Sequence, residues 1–210
     1  MKVYVRSPLI WGIHVAANSD IETIDQIQDR VFAISRAGSG SHLIAIVDAA
    51  ERGWPTQNMK FSKVGNLTGA REKLANGSVD VFLWEKFTTQ PLVDDGEFRR
   101  VGERIVPWPA FVVSARCDVI ERHRTGIKQV LSVVDGYCER IAKNPDAPKV
   151  ISEKFHIKIE DCVRWFEHMQ WNLGLDYSVA DFQKIVEYLY RVDLISESEV
   201  AIDRVWSHLA

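Results

Sequence analysis

The sequence predicts an α/β protein, with an α/β lobe over residues 1–106 and a mostly helical part over 107–210. Three observations carry this expectation. Short apolar runs at Val31–Ile34, Met59–Val64 and Val79–Trp84 alternate with segments of helical periodicity. The turns that follow the first two of these runs are rich in Gly, Ser and Asn, residues that end strands and start helices. Beyond Ala110–Ser114 the apolar residues recur only at helical spacing. Strand–helix alternation of this kind argues for a parallel sheet with helices on its faces.

The elements follow in order. Val3 and Val5 alternate with polar neighbours, and Pro8 marks an edge or crossing before the apolar run through Ala17. Thr23–Gln28 reads as a short helix with Ile24 and Ile27 inward. After the Val31–Ile34 strand, a helix is expected from about Ser41 to Arg52, closed by Gly53. Ala70–Leu74 is a strong helix former stopped by Asn76-Gly77. Lys86–Gly96 should be a short helix broken near Pro91, followed by a strand over Phe98–Val101 and the stiff Pro107-Trp108-Pro109. Ile127, Val130, Leu131, Val134, Cys138 and Ile141 form one apolar stripe, and Asn144-Pro145 stops that helix. Helices near Ala147–Phe155 and Ile159–His168 come next. Ser178 starts another, with Phe182, Ile185, Val186 and Leu189 inward, and a last is expected over Glu197–His208.

Composition narrows the function. With 46% apolar and 26% charged residues the chain is ordinary globular material, as one large domain or two lobes. A net charge of -3 gives no electrostatic case for nucleic acid or an acidic membrane. No apolar run has membrane-spanning length, and Met1–Arg6 lacks the apolar centre of a signal peptide. Cys117, Cys138 and Cys162 are scattered, which suits free thiols better than a disulfide framework or a zinc site; no cofactor is indicated. Seven tryptophans, several beside turns, leave indole faces to line a cleft.

In open α/β sheets, ligands gather beyond the carboxyl ends of the strands. Gly38-Ser39-Gly40-Ser41-His42, Asn66–Gly69 and Trp84-Glu85 all stand at such ends. A Gly/Ser turn entering a helix leaves backbone N–H groups open and favours an anionic or polar guest. Ser39 or Ser41 acting simply as a helix cap is the alternative. Gly38-Ser39-Gly40-Ser41 lacks the spacing of a nucleophile elbow, and no Gly-Lys-Ser/Thr follows to make a phosphate loop. Glu85 has no second titratable partner in sequence to suggest acid–base work. His14 and His42 could approach each other across the cleft, although a histidine at a helix start is more often a satisfied polar residue than a ligand.

Ile34–Leu43 resembles the Gly/Ser-Ser-His turn of type II periplasmic solute-binding proteins, in the branch that binds aliphatic sulfonates, taurine and thiamine pyrimidines. Three further stretches are similar to that family in the same order: Ala70–Asp80, Phe82-Leu83-Trp84-Glu85, and Phe111–Arg116 with Val119–Arg122. Lys86 stands where the family has proline. The resemblance implies two α/β lobes closing on a small solute, served by an ABC-type permease and working outside the cytoplasmic membrane. It places Ser39, Gly40, Ser41 and His42 on the ligand's polar head, with Trp84 and Glu85 lining the cleft; Gly38 and Asn66 join these as candidates from their turns at the strand ends. Trp11-Gly12, within a first crossing near 7–17, and Trp108 would sit at the lobe crossings. By the same comparison the N-terminal part of lobe one is expected to be missing. The Ala110–Ser114 edge would then be open to pairing with a second copy. A thiamine-pyrimidine synthase of the same fold, or a module that binds nothing, are the other readings. The synthases carry a cysteine cluster that Cys117, Cys138 and Cys162 do not form.

Overall fold

A computed structural model of the 210-residue chain describes residues 2–173, 179–191 and 194–196. The expected helix over Glu197–His208 and the Ser178 cap lie outside the described residues. The chain divides into two compact units, one of Ile10–Val106 and one of Met1–Leu9 with Pro107–Ala210. Compared with a division into 1–106 and 107–210, the first nine residues change sides.

The first strand, β1 (Lys2–Val5), belongs to the second of these units. The Ile10–Val106 unit is built from β2 (Ile10–Ala16), a 3-10 turn at Ile24–Ile27, β3 (Val31–Ile34), α1 (Gly40–Glu51), β4 (Lys60–Lys63), α2 (Leu67–Ala75), β5 (Val81–Glu85), α3 (Gln90–Asp94) and β6 (Phe98–Ile105). Its five-stranded sheet has the order β4-β3-β5-β2-β6. Strands β3, β4 and β5 run parallel, as their helical crossovers require, while β2 lies antiparallel to both β5 and β6. The sheet is therefore mixed and not purely parallel. Ala33, Ala70, Leu74, Val79, Phe82 and Phe98 form a buried core cluster of this unit.

Pro91 does not break the helix expected around it. It stands in the first turn of α3, where its missing N–H costs nothing and its fixed φ suits the helix. β6 is also longer than the apolar pattern indicated. Arg99, Arg100 and Arg104 interrupt that pattern, yet each makes a polar contact within the unit.

In the other unit β1 pairs antiparallel with β7 (Phe111–Val113), so the Ala110–Ser114 strand has a partner within its own chain. Its residues still stay 38–41% exposed. The helices are α4 (Cys117–Ala142), kinked at His123, α5 (Ala147–Phe155), α6 (Ile159–His168) and α7 (Val179–Arg191). Of the stripe expected on α4, Leu131 and Cys138 are buried, but Val130 and Ile141 are exposed. α4 turns the line through Leu131, Asp135 and Cys138 toward β1, where Lys2 pairs with Asp135 and Cys138 meets Tyr4. Burial, then Cys138, push the Tyr4 phenol up to about 12. Cys138 and Cys162 are buried free thiols; Cys117 is exposed. No helix among the described residues is long and apolar enough to cross a membrane.

Candidate functional site

Strand register defines one rim of the five-stranded sheet. Ile34 is paired with Lys63, Ala33 with Phe82, and Trp11 with both Glu85 and Arg104. The carboxyl ends of β3, β4, β5 and β6 therefore share an edge with the amino end of β2. This edge brings together Gly38–His42, Asn66, Trp84, Glu85, Trp11 and Gly12. Trp108 is in the other unit, edge-on to Tyr188 at 5.5 Å.

The turn entering α1 is closed by its own hydroxyls. Ser39 is the N-cap, and its Oγ accepts the His42 N–H at 3.4 Å. The Ser39 and Ser41 hydroxyls are 3.1 Å apart, and Ser41 Oγ accepts the Ser35 N–H at 3.0 Å. Both side chains are buried, at 6% and 2% exposure. They hold the turn, and a guest there would meet backbone N–H groups instead. Gly38 adopts a left-handed φ of +70°, which lets its N–H reach His42 Nδ1 at 3.1 Å. The His42 ring stands edge-on to Phe61, 4.6 Å between centroids, and burial lowers its pKa. Gly40 is exposed, and among the described residues no acceptor takes the Gly40 and Ser41 N–H groups. Replacing Ser39 by alanine removes the cap and should cost about 1 kcal/mol in urea denaturation. Serine at 39 acting only on a ligand would leave that midpoint unmoved.

Against this helix start lies Trp11, only 9% exposed. Its ring atoms Cζ2 and Cη2 come within 3.1 and 3.3 Å of where a Cβ on Gly40 would stand. Glycine at 40 is what allows the contact. The indole nitrogen is on the same edge of the ring as Cζ2, and Nε1 is buried with no hydrogen-bond partner among the described residues. An orphaned buried donor is uncommon and calls for an acceptor. Trp84 is edge-on to Trp11 at 6.2 Å and stacked on Phe82 at 5.2 Å.

Asn66 and Glu85 cap their own turns. Asn66 Oδ1 accepts the Gly69 N–H at 3.0 Å as N-cap of α2. The Glu85 carboxylate accepts the N–H groups of Phe87 at 3.1 Å and Thr88 at 2.7 Å, and the Thr88 hydroxyl at 2.6 Å. Both are in position at the rim, with these oxygens engaged by the turns that carry them.

Sequence reasoning did not find the polar cluster behind the rim. His14 lies opposite Phe82 on β5 and Arg100 on β6, and is fully buried, so it does not open onto the rim beside His42. Its Nδ1 is 3.2 Å from the Phe82 carbonyl and its Nε2 is 3.0 Å from the Thr89 hydroxyl. Burial first, then the Arg100 charge, hold its pKa down to about 3. The available signal was a histidine two residues after Gly12 inside an apolar strand. A Cβ on Gly12 would stand 2.4 Å from His14 Cε1, so the glycine makes room for the ring.

Residues 11–104, nearly the whole Ile10–Val106 unit, match the Ca3427-like periplasmic-binding-protein model. The Candida albicans CA3427 gene product, described as having the generic periplasmic binding protein fold, superposes with a TM-score of 0.86 at 24% identity. That match covers 97% of this chain and 69% of the other. The fold is that of the type II periplasmic binding proteins. Two sulfonate-binding proteins share it at lower identity. The alkanesulfonate-binding protein SsuA of Xanthomonas axonopodis pv. citri, bound to MOPS, gives a TM-score of 0.69 at 16% identity over 97% of this chain and 74% of that one. SsuA of Escherichia coli, a periplasmic aliphatic sulphonate binding protein, gives 0.62 at 17% over 98% and 69%. No curated protein matches the sequence significantly.

Proposed function

We propose that this protein binds a small oxyanion-bearing solute, of the sulfonate class, at the rim of the Ile10–Val106 unit. It does so without chemistry, as the binding component of an ABC-type uptake system. The observation that carries this reading is the buried, unpartnered Trp11 Nε1 beside the exposed N-terminus of α1. The Trp11 ring edge packs against Gly40, whose N–H stands with that of Ser41 at the positive end of a 12-residue helix dipole. An oxyanion held by those amides that also accepts from the indole N–H removes the penalty of the orphaned donor. The Trp11 and Trp84 rings supply an apolar wall for the rest of the solute. The MOPS-bound and sulfonate-binding proteins of the same fold support the ligand class. Glu85 and His42, both engaged by backbone N–H groups of their own turns, support holding over acid–base catalysis.

Calorimetric titration of taurine, alkanesulfonates and MOPS tests the proposal, with a formylaminopyrimidine as the neutral competitor. At least one sulfonate should bind. Trp11→Phe keeps an aromatic, though smaller, ring and deletes the N–H, and should weaken that binding about tenfold, equal to ~1.4 kcal/mol. No heat from any sulfonate, or equal affinity in the Phe variant, overturns the oxyanion seat. Preference for the pyrimidine moves the reading to a neutral polar ring.

A further inference from the structure

The cluster behind the rim is not part of the seat, yet it grips the segment that follows β5. Thr89 Oγ1 lies 3.1 Å from the Glu85 carbonyl and 3.2 Å from the Lys86 carbonyl, besides 3.0 Å from His14 Nε2. A hydroxyl has one proton to give, and His14 Nε2, at the shortest of these distances, accepts it; Arg100 Nε lies 3.4 Å from the same nitrogen, and the Glu85 carbonyl still takes the Thr89 N–H at 3.3 Å. His14 Nδ1–H then donates to the Phe82 carbonyl. Arg100 reaches the same segment twice more, at the Lys86 carbonyl (2.9 Å) and the Gln90 side-chain oxygen (2.8 Å). Thr89 and His14 are fully buried, and the Arg100 side chain is 13% exposed.

We infer that His14, Thr89 and Arg100 form a latch that fixes the Glu85–Gln90 segment from behind and so sets the rim's hold on its solute. They are positioning residues, and this inference rests on the solute site proposed above. The latch connects β2, β5 and β6 to one turn through buried hydrogen bonds, an arrangement that rigidifies what it joins when every member is satisfied. Trp84 and Glu85, at the head of the segment, form the β5 side of the rim, next to Trp11. A loosened segment would let that wall move without altering the α1 turn.

Thr89→Val keeps the shape and deletes the hydroxyl; Thr89→Ser retains it. Amide hydrogen exchange of the solute-free protein reads the latch directly. The amides of Phe87, Thr88, Thr89 and Gln90 should exchange at least tenfold faster in the Val variant. Those of Ile13 and Leu83 in the sheet should be unchanged, and the Ser variant should match the wild type. Affinity for a sulfonate that binds the wild type should fall severalfold in the Val variant and recover with serine. Unchanged exchange over 87–90 overturns the latch, as does acceleration spread through the sheet, which marks general destabilisation. Local acceleration with unaltered affinity overturns its link to the solute. A wild type that binds no sulfonate counts against the proposed function alone, because the exchange result still decides the latch.

Discussion

Acidification from pH 6.5 toward pH 3 will weaken this fold by up to about 5 kcal/mol through His14 alone. The buried imidazole has a pKa held down to about 3, against 6.5 when free. Each unit of difference is worth about 1.36 kcal/mol. Between those values the unfolded chain binds a proton that the folded chain refuses, so stability falls as the pH drops through 6.5 and the loss is complete below 3. Above 6.5 this group contributes no pH dependence. The physical cause is burial first, since a charged imidazole there would be stripped of water, and then the Arg100 guanidinium, which a protonated ring would face as a second cation. Urea unfolding of the wild type and of His14→Gln from pH 7 to pH 4 measures it. The variant should be weaker at pH 7 and show a shallower slope across the range, since the histidine proton is gone. Parallel slopes in the two proteins would remove His14 from its assigned environment.

Gly12→Ala should cost about 3–5 kcal/mol. Its Cβ would stand 2.4 and 2.5 Å from the His14 ring and 2.9 Å from Arg100 Nε. The ring has no open side to swing into, because it is fully buried between β5 and β6 and bonded to Phe82 and Thr89. Overpacking of this kind costs about 1–3 kcal/mol. Each buried polar group that loses its partner adds about 1–3 kcal/mol. Gly38→Ala is the useful contrast: its Cβ would meet open space, so only the left-handed φ is charged, at about 1–2 kcal/mol. Denaturation midpoints of the two variants should separate in that order. If Gly12→Ala unfolds with the wild type, the packing of His14 against this strand is not what limits the site.

Much of the fold was readable because it depends on local rules. Val31–Ile34 is a strand as its apolar run between turn residues indicated, and Ala147–Phe155 and Ile159–His168 are helices as their spacing indicated. The Gly/Ser turn, with a serine cap and a positive-φ glycine, is equally local chemistry. Errors arose where a partner element decides. Pro91 reads as a breaker until its neighbours place it in the first turn of α3. Val130 and Ile141 read as core until β1 takes the adjacent face of α4. The direction of β2 and β6 in the sheet has no signature in their own residues.

The same division runs through the site. Residue pattern alone determined that Gly38–His42 and Asn66 lead from a strand into a helix and that Trp84-Glu85 end a strand, because capping and turn formation involve only neighbours within a few positions. It could not determine what those side chains do once there. Whether a serine hydroxyl faces a guest or its own turn, and whether an indole N–H finds an acceptor, depends on groups brought from distant parts of the chain. Tertiary structure decided both: it turned Ser39, Ser41, Asn66 and Glu85 onto their own turns. It also seated Trp11 against Gly40 and assembled His14, Thr89 and Arg100 from three segments. Burial is the physical reason, since a polar group removed from water must bond to whatever the fold has placed beside it.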